Sequence, residues 1–149
     1  MASNSDCALP EGWSRIAPAL MYDDANAAIE WLCRVFGFHE AMVVRNEDGR
    51  VVHSQLVFGE AMIMVGQTGN ALKPHFRSPQ SLDGANTQSL CVVVSDVDAH
   101  HAHASAEGAA IATAPSTQDY GPGYWIDRTY EAIDLEGHRW WFLQRLARP

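Results

Sequence analysis

One strand–turn–helix pattern occurs twice in this 149-residue chain. Ala17-Pro-Ala-Leu-Met-Tyr22 leads into Asp-Asp-Ala-Asn-Ala-Ala-Ile-Glu-Trp-Leu-Cys-Arg-Val-Phe-Gly37. Ser89-Leu-Cys-Val-Val-Val94 leads into Ser-Asp-Val-Asp-Ala-His-His-Ala-His-Ala-Ser-Ala-Glu-Gly108. Each copy reads as a strand, an Asp-led turn, a helix and a closing glycine. A duplicated unit of this size implies two matching halves that share a core, with space for a ligand where they meet.

In the first half, residues 15–22 alternate as a strand. Leu20 and Tyr22 lie on one face, with Ala17, Ala19 and Met21 on the other. Asp24 is placed as an N-cap. Ala25, Ala28, Ile29, Leu32 and Phe36 recur at helical spacing, and Gly37 stops the helix. A strand over 38–46, a turn at Asp48-Gly49 and a hairpin of 51–58 with 61–65 follow. Residues 67–86 carry Gly, Asn, Pro and Ser without periodicity and read as a connection. The second half repeats the order: a strand at 88–94, a helix at 96–107, a short strand near 110–113, a loop over 115–123 and a hairpin of 125–134 with 139–145. The predicted fold class is α+β, with two βαβββ modules, at about 14–66 and 87–146, in a single domain over 1–149.

Composition narrows the function classes. A net charge of −8 argues against nucleic acid, whose phosphates call for clustered Lys and Arg. Arg128, Arg139, Arg145 and Arg148 are dispersed. No apolar run is long enough to cross a membrane, and the first residues lack the pattern of a secretory leader. Cys7, Cys33 and Cys91 are odd in number and far apart, which fits a reducing cytoplasm better than a disulfide framework.

The Asp-Asp-Ala-x-x-Ala-Ile-Glu-Trp-Leu helix start, its close at Phe36-Gly37, and Asp134-Leu-Glu-Gly-His-Arg-Trp140 before the last strand resemble the vicinal oxygen chelate superfamily. That group includes glyoxalase I, bleomycin-resistance proteins and extradiol dioxygenases. The resemblance spans about residues 14–146. It implies a curved mixed sheet around a cup and chains that pair as homodimers. It also implies metal ligands on the first and last strands of each module, at Ala17, Met64, Ser89 and Trp141. None of these suits a divalent metal, so no metal and no cofactor is expected.

On this resemblance the strand alternation places Ala17, Ala19, Met21, Met62, Met64, Ser89, Cys91 and Trp141 on the concave face. Leu20, Ile63, Val65, Leu90, Val92, Val94, Trp140 and Phe142 fall beneath the helices. Met adapts to irregular ligands and Trp141 offers a stacking surface, although both also fill ordinary cores. His53 and Gln55 share a strand face and supply polarity. His53 reads as a base, a hydrogen-bond donor or a structural histidine. Arg128 reads as an anion-binding group or as the partner of a carboxylate. Tyr124 and Trp125, with Tyr120, form a lid or merely pack their loop. The histidines at 100, 101 and 103 read as a solvated helix face.

Three function classes remain open on these residues. The first is a metal-free protein that binds or sequesters an aromatic or drug-like small molecule. The second is a metal-independent enzyme using His53. The third, a metal-dependent lyase or dioxygenase, requires a different strand alignment.

Overall fold

The computed structural model describes residues 8–148, so Cys7 lies outside the described residues. The chain folds as β1 (Ala19–Tyr22), α1 (Ala25–Trp31), β2 (His39–Arg45), β3 (Val51–Phe58) and β4 (Ala61–Gln67). The second module is β5 (Leu90–Val93), α2 (Val97–Ala106), β6 (Ala110–Asp119), β7 (Ile126–Ile133) and β8 (Arg139–Ala147). A 3₁₀ turn at Pro79–Leu82 lies in the connection. The two four-stranded mixed sheets have the orders β1-β4-β3-β2 and β5-β8-β7-β6. In each, the first strand runs parallel to the last and the other pairs are antiparallel. This is the α+β fold of two βαβββ modules.

Both helices begin as the sequence places them. The Asp24 carboxylate accepts from the Ala27 N–H and the Asp96 carboxylate from the Ala99 N–H, so each satisfies a donor the first turn leaves free. Helix α1 widens into a π turn over Leu32–Phe36, then ends at Gly37, whose φ of 84° is left-handed and favours glycine. One apolar core draws on both modules: Leu20, Tyr22, Ile29, Leu32, Phe36, Leu56 and Val65 meet Val97, Tyr130, Trp140 and Phe142. Phe36 touches the rings of Trp140 and Phe142, with centroids at 5.4 and 4.8 Å.

Three strand limits differ from expectation. β1 and β5 are four residues each, shorter than the eight- and seven-residue strands read from the sequence. The expected loop at 115–123 is mostly strand: β6 pairs with β7 as far as Asp119 opposite Ile126. Pro115 removes a donor and falls within a register shift between Thr113 and Ser116, so the strand passes the proline on a sheet edge where ladder bonds are dispensable. The turn itself occupies 120–125.

The modules are clasped by the turn between β7 and β8. Asp134 accepts from the Tyr22 hydroxyl at 2.5 Å and Trp140 Nε1 at 3.0 Å, and also from the N–H groups of Glu136 and His138. The buried Glu136 accepts from the N–H groups of Asp23 and Asp24 at 2.7 and 2.8 Å and from Ser78 Oγ at 2.5 Å. A carboxylate is favourable there, where the chain enters α1 and N–H groups point outward. His138 Nε2 donates to the Met21 carbonyl at 2.8 Å.

Candidate functional site

Strand alternation gives each sheet a face toward the helices and an open face. In the first module, the pairs Ala19–Met64 and Met21–Gly66 put these residues on the open face, opposite the buried Leu20, Tyr22, Ile63 and Val65. His53 and Gln55 join them from β3, and Met42 and Val44 from β2, by the pairs Met42–Gln55 and Val44–His53. This face is rich in methionine. A Cβ at Gly66 would lie 2.8 Å from Met21 Sδ, so any larger residue there displaces the flexible end of the Met21 side chain. Gln55 Nε2 lies 3.0 Å from His53 Nε2. An amide N–H can only donate, so the ring nitrogen accepts and the imidazole proton sits on Nδ1.

The open face of the second module is unlike the first. Trp140 and Phe142 are fully buried, so β8 turns Arg139, Trp141, Leu143 and Arg145 outward. Cys91 pairs with Trp141 and Val93 with Leu143 from β5. From β7, Glu131 is the cross-strand partner of Trp141. Its Oε1 accepts from Arg139 Nη1 at 2.9 Å and its Oε2 from Thr113 Oγ1 at 3.3 Å. Asp127, only 2% exposed, accepts from Arg145 Nε and Nη2 at 2.7 and 3.0 Å. The Trp125 ring covers the Arg145 guanidinium at 4.5 Å. Burial, then the negative charge of Asp127, pushes the Cys91 thiol up, so it stays protonated near neutrality and is a poor nucleophile.

The anticipated site residues are not gathered into one cavity of a single chain. Met21 and Gly66 line a cavity of about 200 Å³ with Arg50, Lys73 and Phe76. Ala19 and Met21 border a second of about 440 Å³ beside His75, Arg77 and His138. Met62, Cys91 and Val93 line a third of about 380 Å³ at the junction of the modules. Met62 lies on the open face by alternation yet is 2% exposed. Tyr124 and Trp125, with Tyr120, Asp127, Leu143 and Arg145, line a fourth of about 620 Å³. Ala17 and Ser89 fall just before β1 and β5 rather than within them.

Arg128 is directed away from the open face. As an even-numbered residue of β7 it shares the helix side with Tyr130, and it grips Asp98 of α2 through Nε and Nη2 at 2.8 and 2.7 Å. Its hydrogen bonds hold the Asp98 carboxyl below the usual range. The reading of His100 as solvated is corrected. His100 lies on the buried stripe of α2 with Val97 and Ala104, and its ring centroid is 4.2 Å from that of Phe142. Nε2 donates to the Phe36 carbonyl at 2.9 Å, which leaves Nδ1 to accept from the Tyr130 hydroxyl at 2.6 Å. Burial holds its pKa below the ordinary histidine value. Asp127, Glu131, Arg139 and Arg145 were not anticipated as site residues. The signal was available for Glu131 and Arg139, which alternate with the buried Tyr130, Ala132 and Trp140 of the final hairpin.

The four positions that would carry a metal in this fold offer a methyl group, a thioether, a hydroxyl and an indole. They do not fit a divalent ion. Among the described residues, no group of three or more His, Cys, Asp or Glu side chains is arranged to hold one. No helix is long and apolar enough to cross a membrane.

The glyoxalase/bleomycin resistance protein/dioxygenase superfamily matches residues 15–142. The solved structure of TioX from Micromonospora sp. ML1 is 31% identical, covering 91% of this chain and 99% of that one, with a TM-score of 0.67. An uncharacterized protein of Mycobacterium tuberculosis (strain ATCC 25618 / H37Rv) is 29% identical over 126 residues, which is 84% of this chain and 71% of that protein. The genomically encoded fosfomycin resistance protein FosX of Listeria monocytogenes shares the fold at 13% identity and a TM-score of 0.59, covering 89% of this chain and 93% of that one.

Proposed function

The chain belongs to the glyoxalase/bleomycin resistance protein/dioxygenase superfamily, and we propose that it is a member without the metal centre that binds, and by binding sequesters, a flat aromatic small molecule. The carrying observation is Trp141. It stands where metal-using relatives are expected to place a carboxylate, and it faces away from the core in which Trp140 is buried. An indole on an open sheet face between Cys91 and Glu131 is a stacking platform, not a ligand to a divalent metal. The methionines of the first module supply a surface that adapts to an irregular apolar outline.

A homodimer in a reducing cytoplasm completes this reading. Met42, Val44 and Val93 are 48%, 43% and 68% exposed on the open faces, so these parts of the two faces are left uncovered by the described residues. A partner's unlike face would supply one, closing a Met-lined half over a Trp-lined half.

A metal-independent enzyme is the second reading, and it rests on His53, which shares the first open face with Gln55. Its Nε2 lone pair is spent on Gln55, so acting as a base requires that amide to swing away. The experiment for the main reading is metal analysis of the purified protein, followed by chelation. Folding and ligand binding are expected to survive chelator unchanged. Stoichiometric zinc, nickel or iron lost together with binding would overturn it.

A further inference from the structure

We propose that Arg139 is the anion-binding group of the site, so that its ligands are planar aromatic acids rather than neutral or cationic rings. This rests on the reading of Trp141 as the stacking platform and adds the charge of the ligand to it.

The argument begins with what each carboxylate and guanidinium on the second open face has left to offer. The side chains of Glu131 and Asp127 are 11% and 2% exposed, whereas those of Arg139 and Arg145 are 43% and 36% exposed. The acids therefore lie beneath and the cations above, and an incoming ligand meets guanidinium first. The two arginines differ in what remains free. Arg145 is held through two nitrogens by Asp127 and is roofed by Trp125. Arg139 is held through Nη1 alone. Among the described residues, its Nε and Nη2 have no partner in the protein, so several donors of its planar fork are still available.

Position selects Arg139 as well. It precedes Trp141 by two residues on the same strand face, a separation of about 7 Å along a strand. A ring stacked on the indole that carries an acidic substituent at its edge can place that acid against the open side of the guanidinium. Glu131 sits opposite Trp141 and fixes the inner nitrogen of Arg139, while Thr113 holds the other Glu131 oxygen. Anchoring one nitrogen in advance spares part of the ordering cost when the ligand arrives. A carboxylate, or two oxygens of a sulfonate, can meet the free fork in two bonds. A cationic ring would have to approach through the exposed arginines to reach the buried acids.

The test uses two probes with one ring system. 8-Anilinonaphthalene-1-sulfonate is an aromatic anion built on a flat naphthalene, and N-phenyl-1-naphthylamine is the same scaffold without the sulfonate. Titrations are followed by fluorescence for wild type, Arg139→Gln and Trp141→Ala, with urea midpoints to show that each variant is folded. Wild type is expected to bind the anion more tightly than the neutral probe. Arg139→Gln is expected to weaken the anion by about ten- to a hundred-fold, the scale of a lost charged hydrogen bond, and to leave the neutral probe within about two-fold. Trp141→Ala is expected to weaken both. If Arg139→Gln leaves the ratio of the two affinities unchanged in folded protein, the assignment of Arg139 fails while the platform stands. If Trp141→Ala alters neither probe, or wild type binds neither, the platform itself fails.

Discussion

Replacing Asp134 by alanine should be among the most damaging single changes outside the apolar core. The carboxylate accepts four hydrogen bonds, from the Tyr22 hydroxyl, Trp140 Nε1 and the N–H groups of Glu136 and His138. Tyr22 and Trp140 have no exposed surface, so water cannot replace the acid for them. A buried donor left without a partner costs about 1–3 kcal/mol, and there are two of these. The turn N–H groups add less, because the turn borders solvent. Asp134→Ala is therefore expected to lose about 3–6 kcal/mol, a large share of the roughly 5–15 kcal/mol that holds a domain of this size. Tyr22→Phe removes a donor and leaves the carboxylate its other three, so its cost should stay near 1 kcal/mol. In the double variant no phenol is stranded, and the combined loss should fall short of the sum by about 1–2 kcal/mol. Urea unfolding followed by circular dichroism measures all three, with the slope checked for constancy. A loss below about 1 kcal/mol for Asp134→Ala, or strict additivity in the double variant, would refute the account of this turn as the clasp between modules.

Three further outcomes follow from the geometry. Trp140→Ala, which empties a buried site, should cost about 3–5 kcal/mol, whereas Trp141→Ala should cost clearly less and act mainly on ligand affinity; calorimetry and titration of both variants check this. The half-buried His100 has a folded pKa below its unfolded value, so its contribution is complete above about pH 6.5 and is lost as pH falls through that value toward the folded pKa. His100→Asn should flatten the decline in urea midpoint between about pH 7 and pH 5, and an unaltered decline would assign it to other groups. Light scattering at micromolar concentration should give the mass of two chains, and a monomer mass would count against paired open faces.

The fold was legible in the sequence because each module repeats the same local signals. Asp24 and Asp96 cap their helices as the pattern implied, Gly37 ends the first in the left-handed region, and Trp140 and Phe142 are buried where alternation placed them. The end of β6 was not legible, since a proline among Ser and Thr reads as a loop unless one knows that the strand is an edge. Nor was His100, because three histidines on a polar helix look solvated until Phe36 and Tyr130 of other elements are brought to them. The charged half of the site was missed for a different reason. Of the two roles the sequence offers Arg128, the structure gives it that of a carboxylate partner, because direction on a strand is set by parity. Parity turns Asp127 and Glu131 to the open face and Arg128 to Asp98.

The same parity explains why two modules of one design carry unlike faces. The helix-facing residues are constrained by one shared core, in which Phe36 of the first module touches Trp140 and Phe142 of the second. The open-facing residues have no such constraint. They carry methionines around His53 and Gln55 in one module, and two ion pairs around Trp141 in the other. Two identical faces would make a site symmetric about its own midpoint, suited to a ligand with the same symmetry. Unlike faces brought together by a twofold axis give two equivalent sites, each with an adaptable apolar wall and a charged aromatic wall. Under the proposed function, the ligand that such walls would orient is itself lopsided, with a flat apolar body and one acidic edge.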